Sequence, residues 1–209
     1  MKFCTITPTR GDRPQFLEFC KHQLSRMYVK PDHSYFIDYP PESTDFDLVG
    51  RVRKGVEQAK ADGFERVFIV EDDDAYPADY FLHTPQDADF IGDDHTIYYH
   101  LGNRTWQEWS HPRRASLFTT GFNISALKDF QWIPDNERFL DISLWNYAVR
   151  EKKTVFWRQS KAVGIKHGIG LCGGRGHIQR NKYQDQDLAW LKAHVDTEAF
   201  TFYSTLKLK

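Results

Sequence analysis

The chemically densest stretch of the 209-residue chain is Glu71-Asp72-Asp73-Asp74, four carboxylates directly after the apolar run Arg66–Val70 (RVFIV). Adjacent carboxylates repel one another, and a hard divalent cation such as Mg²⁺ or Mn²⁺ relieves that repulsion through oxygen donors. At the end of a parallel strand, such a group lies where open α/β sheets place their ligands. An extended run sends Glu71 and Asp73 to one side and Asp72 and Asp74 to the other. A second stretch, Asn103–Arg114 (NRTWQEWSHPRR), interleaves Trp106, Trp109 and His111 with Arg104, Arg113 and Arg114. Aromatics set among cations can stack on sugar rings or on nucleic-acid bases. The group Asp93-Asp94-His95 is better explained as a capped turn than as a metal site. Gly168–Gly176 (GIGLCGGRG) is mostly glycine, too flexible for a core element, and its spacing fits neither a P-loop nor a dinucleotide-binding loop.

The elements that must carry these groups follow from periodicity. Lys2–Thr7 is a strand, stopped by Pro8 and the turn-forming Arg10–Pro14. Gln15–Met27 sets Leu17, Cys20, Leu24 and Met27 on one helical face. Ser34–Tyr39 is a second strand. A helix capped by Ser43 or Thr44 then turns Leu48, Val49, Val52, Val56 and Ala59 inward and ends at Asp62-Gly63. Arg66–Val70, apolar almost throughout, predicts a strand covered on both faces. Strand, helix, strand, helix, strand with short links is the pattern of a parallel sheet. Further on, Phe90-Ile91, Thr96–His100, Thr154–Trp157 and Ala162–Ile165 read as strands, Ser116–Ser125 as extended and Asn103–Arg114 as a long loop. Phe139–Glu151 reads as a helix burying Leu140, Leu144, Tyr147 and Ala148. A last helix starts at Asp185 or Asp187 and runs to about His194.

Composition narrows the function classes. A formal net charge of -1 argues against coating nucleic acid through bulk positive charge. No apolar run approaches the roughly 18–20 residues that span a bilayer. The opening MKFCTITPTRGDRP is too quickly charged for a signal peptide. Cys4, Cys20 and Cys172 are too scattered for a disulfide framework or a zinc knuckle. These features predict a soluble, cytoplasmic protein, with residues 1–209 forming one domain without repeats or linkers.

The segment VFIVEDDDAYPADYF resembles the region of the aspartate motif in GT-A glycosyltransferases, where an apolar strand ends in Glu-Asp-Asp or Asp-x-Asp. It is most similar to N-acetylglucosaminyltransferase-type members, in which Pro, Asp and an aromatic pair follow, here Pro77, Asp79, Tyr80 and Phe81. The resemblance implies that Asp73 binds Mn²⁺ or Mg²⁺ and that Glu71 and Asp72 face the nucleotide; Asp72 and Asp74 form an equally good Asp-x-Asp. The opening CTITPTRGDRP resembles the family's nucleotide-holding segment through Thr7, Pro8, Thr9 and Arg10. Arg51 resembles the arginine that precedes the aspartate motif. Asp141 resembles the acid that deprotonates the acceptor in inverting members, with Glu137 as second choice. His167 resembles the late histidine that completes the metal shell. The glycine-rich stretch is then a lid whose Lys166, Arg175 and His177 meet the diphosphate, while Trp106, Trp109, Arg113 and Arg114 hold the acceptor.

The expectation is thus an α/β fold, a single GT-A-like (Rossmann-like) domain with a mixed, mainly parallel central sheet flanked by helices. Residues 1–81 bind the nucleotide sugar, and residues 82–209 form the acceptor half with its lid. The expected activity is metal-dependent, inverting sugar transfer from a UDP- or GDP-sugar to a glycan, a small molecule or a hydroxylated base of phage-type DNA. The setting is the cytoplasm of a bacterium or phage-infected cell, without a membrane partner. A phosphoryl-transfer enzyme (nuclease or nucleotidyltransferase) and a non-catalytic sugar-nucleotide-binding module are the alternatives.

Overall fold

Phe3–Pro8 (β1) is buried along nearly its whole length, which only an inner strand can be. In the computed structural model, which describes residues 2–40, 46–82, 84–85, 87–168 and 182–206, it is flanked by parallel partners on both sides. These are His33–Ile37 (β2) and Arg66–Ile69 (β3). Between them lie helices Pro14–Ser25 (α1) and Leu48–Ala61 (α2), the first opened by a proline whose fixed φ suits a helix start. The sheet continues through Phe90–Gly92 (β4), Gly121–Asn123 (β7) and Val155–Trp157 (β8), in the order β2-β1-β3-β7-β4-β8. Pairs β3–β7 and β7–β4 are antiparallel and β4–β8 is parallel, so the six-stranded sheet is mixed and mainly parallel.

Alternation along the strands divides the core. Ile6, Val67 and Ile69 face α2 and Leu140–Arg150 (α3), packing with Val52, Val56, Leu144 and Trp145. Phe68 and Val70 face the other way, toward Cys20, Leu24 and Tyr80. Helices therefore cover both faces of an α/β sheet, as the sequence predicts. Among the described residues, no helix is long and apolar enough to cross a membrane.

A second sheet departs from the sequence reading. Residues 103–114 contain a strand, Thr105–Ser110 (β6), paired in antiparallel with His95–His100 (β5). The sheet is completed by Val163–Lys166 (β9) and Tyr183–Gln184 (β10), in the order β10-β6-β5-β9. Strand β6 escapes pattern reading because neither face is uniformly apolar: Thr105, Gln107 and Trp109 alternate with Trp106, Glu108 and Ser110.

Residues 116–125 are only briefly extended. The Ser116 carbonyl accepts hydrogen bonds from the Thr119 backbone and from the Thr119 and Thr120 hydroxyls, which winds Leu117–Thr119 into a 3₁₀ turn. The predicted last helix begins later, at Ala189 (Ala189–His194, α4), because the Asp185 carboxylate accepts the Trp190 and Leu191 N–H groups from before the helix. A further helix, Thr197–Thr205 (α5), is capped by Asp196 at 2.8 Å from the Ala199 nitrogen. Ser43 and Thr44 lie outside the described residues; α2 starts directly after Asp47.

One position is tight enough to test the packing. A Cβ on Gly121, where β7 crosses β3, would stand 2.4 Å from the Phe68 ring. Both neighbours are fully buried, so Gly121→Ala should cost about 1–3 kcal/mol. A urea titration checks this: the midpoint should fall with an unchanged slope.

Candidate active site at the acidic turn

Strand β3 ends at Ile69, and the acids that follow form a turn. The alternation expected of an extended run therefore fails. Asp72 and Asp73 both meet one guanidinium: Arg13 Nη2 lies 2.7 Å from Asp72 Oδ1 and Nη1 lies 2.7 Å from Asp73 Oδ2. Arg13 immediately precedes Pro14, so the helix start fixes its backbone. Thr9, just beyond β1, donates its hydroxyl to the other Asp72 oxygen at 2.8 Å. His167, one residue past β9, brings Nε2 to 2.7 Å from Asp73 Oδ2. Its buried ring packs on Phe16 of α1 with centroids 4.3 Å apart.

Asp74 turns the opposite way. It is fully buried, and its Oδ1 accepts the Ile165 N–H at 2.7 Å while Oδ2 has no hydrogen-bond partner. Backbone bonds between Ala75 and Val163 stitch the turn to β9. Gln23 of α1 clamps it from the other side, donating to the Asp74 carbonyl and accepting the Tyr76 N–H, both at 3.0 Å. Tyr203 of α5 donates its hydroxyl to the Asp73 carbonyl at 3.3 Å. Every element around the turn holds it.

Its charges are unequal as a result. Burial opposes the charge on Asp73, but Arg13 and His167 outweigh burial and hold this carboxyl well below its ordinary range. Burial, then the charge of Asp73, pushes Asp72 up to about 6. Glu71 rises to about 7 through burial, against the pull of Lys166. Asp74 is raised by burial, which Lys166 again opposes. Lys166 itself stays protonated, because Asp74, Tyr98 and Glu71 outweigh the burial of its ammonium.

The remaining expected residues divide by what they touch. Thr7 and Pro8 end β1, and Thr7 is fully buried. Arg10 pairs with Asp47 at 3.6 Å. Arg51 is buried: it binds Asp47 at 2.7 Å and donates to the Thr9 and Ile37 carbonyls at 2.5 and 3.0 Å. Its guanidinium therefore shapes the loop after β1. Asp141, in the first turn of α3, accepts from Arg114 at 2.5 Å, and its charge is felt at Glu71 and Tyr98. Burial raises its pKa and Arg114 opposes the rise. Glu137 accepts the Phe139 N–H at 2.9 Å, a local bond just before α3.

Trp106 and Trp109 do not share a platform, since three steps along a strand reverse the face. Trp106 is stacked between Tyr183 and Trp190, whereas Trp109 lies edge-on to Tyr98. Arg113 is exposed. Asp93 is buried against Arg158 at 3.0 Å and receives the Ser160 N–H, as a structural turn would. Arg175 and His177, with most of the glycine-rich stretch, lie outside the described residues. Sequence reasoning missed Arg13; its one signal is an arginine fixed before a helix-starting proline at the carboxyl edge of β1.

As for a metal, no group of three or more His, Cys, Asp or Glu side chains among the described residues is placed to hold one. Asp73 and His167 nonetheless present an oxygen and a nitrogen 2.7 Å apart. Two adjacent ligands on an octahedral Mg²⁺-sized ion stand about 3 Å apart, and such ions complete their shell with substrate phosphates and water. Arg13 Nη1 lies 2.7 Å from the same oxygen and 3.3 Å from the same nitrogen, so these two donors are open to a cation only where the guanidinium moves aside.

Two outcomes follow. Arg13→Gln removes the cation shared by two largely buried carboxylates and should cost about 3 kcal/mol or more. Adding Asp72→Asn should restore part of that loss, measured as urea midpoints. The second concerns His111, which burial first, then Arg114 and His95, push down to about 4. An unfolded histidine titrates near about 6.5, so between those values the unfolded chain binds the extra proton and stability falls as pH falls. His111→Gln should flatten that part of the profile when midpoints at about pH 7 and about pH 5 are compared.

No family model and no curated protein matches this sequence. In structure, the chain is similar to S. aureus TarS in two crystal structures of that protein. One, with TM-score 0.54 and 12% identity, covers 80% of this chain and 37% of that one. The other, TarS 1-349, gives TM-score 0.50 and 12% identity over 79% of this chain and 61% of that one. A looser superposition, TM-score 0.39 at 14% identity, is with a nucleoside-diphosphate-sugar pyrophosphorylase from Vibrio cholerae RC9, over 84% of this chain and 78% of that one. The chain spans less than two thirds of either TarS chain. At this identity, what this chain shares with TarS is its fold.

Proposed function

We propose that the chain is a metal-dependent glycosyltransferase that moves a sugar from a UDP- or GDP-sugar to a hydroxyl acceptor with inversion. The observation that carries this reading is the meeting of Asp73, His167 and Arg13 at the carboxyl ends of β1 and β3. The fold shared with TarS, a glycosyltransferase, supports it. Residues 1–81 form the donor half and residues 82–209 the acceptor half.

In this reading, Asp73 and His167 hold Mn²⁺ or Mg²⁺. When bound, the ion neutralises charge growing on the departing diphosphate. Thr7–Arg10, in the shape set by Arg51, hold the nucleoside, with Glu71 and Asp72 on its ribose side. Lys166, an ammonium without an ion pair within 4.0 Å among the described residues, faces the diphosphate, with Arg175 and His177 joining it. Asp141 takes the acceptor proton: burial makes it a stronger base, and Arg114 orients it. Trp109 and Arg113 border the acceptor, and Trp106 contributes through its stack. The acceptor is a glycan, a small molecule or a hydroxylated DNA base, met in the cytoplasm of a bacterium or phage-infected cell.

Melting temperatures measured with UDP- and GDP-sugars, with and without Mn²⁺, test the donor half. A rise requiring both components is expected, because a ligand that binds only the native state stabilises it. Asp73→Asn should abolish the joint shift without unfolding the protein. Asp141→Asn should keep it and slow transfer by roughly 10²–10⁴-fold. Joint shifts that survive Asp73→Asn, or an anomerically retained product, would overturn the respective assignment.

A further inference from the structure

A cavity of about 300 Å³, open to solvent, lies between residues 75–79, which leave the acidic turn, and the junction of α4 with α5. It shares no residue with the groups proposed to hold the metal, the donor or the acceptor. Its walls are held in place. Tyr28 donates its backbone N–H to the Ala78 carbonyl at 2.8 Å, and Ala75 exchanges backbone bonds with Val163. Asp196 caps α5 at the Ala199 nitrogen. Ala75 and Ala199 are buried beneath the opening, and their short side chains leave the space unfilled.

The lining holds more than packing requires. Tyr28 is 75% exposed, the highest value for a large apolar side chain among the described residues. Lys161 stands in the left-handed region with a φ of 59°, a conformation that costs a residue with a Cβ. Both neighbours hold it there. Ser160 donates its N–H and its hydroxyl to Asp93, and Val163 is bonded to Ala75. Lys161 and Asp79 bring opposite charges to the one cavity, yet among the described residues neither side chain has an ion pair or a hydrogen bond. His194 stacks on Trp190 with centroids 3.9 Å apart. Its Nδ1 donates to the Trp190 carbonyl at 2.8 Å, which leaves Nε2 of the neutral ring as an acceptor.

Size and charge select the ligand. A water molecule takes roughly 30 Å³ in the liquid, so the cavity accepts a molecule of roughly ten non-hydrogen atoms, far smaller than a nucleotide sugar. An anion alone would meet Lys161 but face the Asp79 carboxylate, and a cation alone would do the reverse. An uncharged molecule would displace water from both charges and replace it at neither. A zwitterion serves both, with its carboxylate on Lys161 and its ammonium on Asp79 and His194 Nε2. An aromatic side chain completes the fit, resting on the Tyr28 ring at the open side and on the alanines below. We propose that this cavity binds a free α-amino acid with an aromatic side chain. The site stands whether or not the chain transfers sugar.

The test uses the full chain, titrated in saturation-transfer NMR with L-phenylalanine and with two analogues that each keep one charge, phenethylamine and 3-phenylpropionate. L-Phenylalanine should bind, and each analogue should bind roughly tenfold more weakly, a loss of about 1.4 kcal/mol. Lys161→Gly and Asp79→Asn should each weaken L-phenylalanine by a similar factor. Lys161→Gly should also melt at or above the native temperature, because glycine adopts a φ of 59° freely and a lysine kept there for the fold would be missed. Asp79→Asn keeps the shape of an exposed side chain and supplies the test should Lys161→Gly not fold. No binding of L-phenylalanine, an analogue that binds as well as it does, or an unchanged affinity in either variant would overturn the proposal. So would a lowered melting temperature in a folded Lys161→Gly.

Discussion

One guanidinium makes the acidic turn possible. Asp72 and Asp73 are adjacent and largely buried, an arrangement that by itself favours unfolding or protonation. Arg13 spans both, giving each carboxylate a separate nitrogen of one planar fork. Because Arg13 sits between β1 and α1 while the acids follow β3, the pairing also fixes how the start of α1 lies over the sheet. His167 adds a contact to Asp73 from β9 and so brings the second sheet to the same point. Arg13 thus sets the polarity of the turn, while His167, the Asp74–Ile165 bond and the Ala75–Val163 backbone bonds tie it to the second sheet.

Around that pair, polar groups are sorted by direction. Asp74 faces inward to a backbone nitrogen of β9, while Asp73 keeps a partly open side toward Arg13 and His167. Asp73 and Asp74, interchangeable in the sequence, thus have different surroundings. Arg51 illustrates the same sorting: a charged residue on a helix spends its donors on the Thr9 and Ile37 carbonyls, so the loops after β1 and β2 are shaped by one buried cation.

The first three strands and two helices were legible because the inner strands are apolar and the helices amphipathic, so periodicity and burial coincide. Strand β6 was not, since Gln107 is buried on one of its faces and Trp106 stacks with Tyr183 and Trp190 on the other, so apolar and polar positions do not alternate. The acidic cluster stood out in the sequence because four adjacent carboxylates have few structural uses. Its geometry did not, because the chain leaves the strand before the acids begin. The pairing of Asp141 with Arg114 spans 27 positions and is set by where α3 docks, which local sequence does not encode. Arg13 stood in plain view, but an arginine's partner depends on which strand ends lie beside it.

The distances in sequence across the acidic turn bear on how the protein comes to be folded. Asp73 meets His167 across 94 positions, Arg13 meets His167 across 154, and Tyr203 reaches the Asp73 carbonyl across 130. Closing such long loops is entropically slow, and topologies rich in non-local contacts fold correspondingly late. During synthesis, Arg13 and the acids can pair once β1 and β3 are together. The histidine contact and the seam to the second sheet must wait until β9 has left the ribosome. The Arg13 pairing therefore precedes the histidine contact, and the turn is complete only once residues 163–203 have joined it.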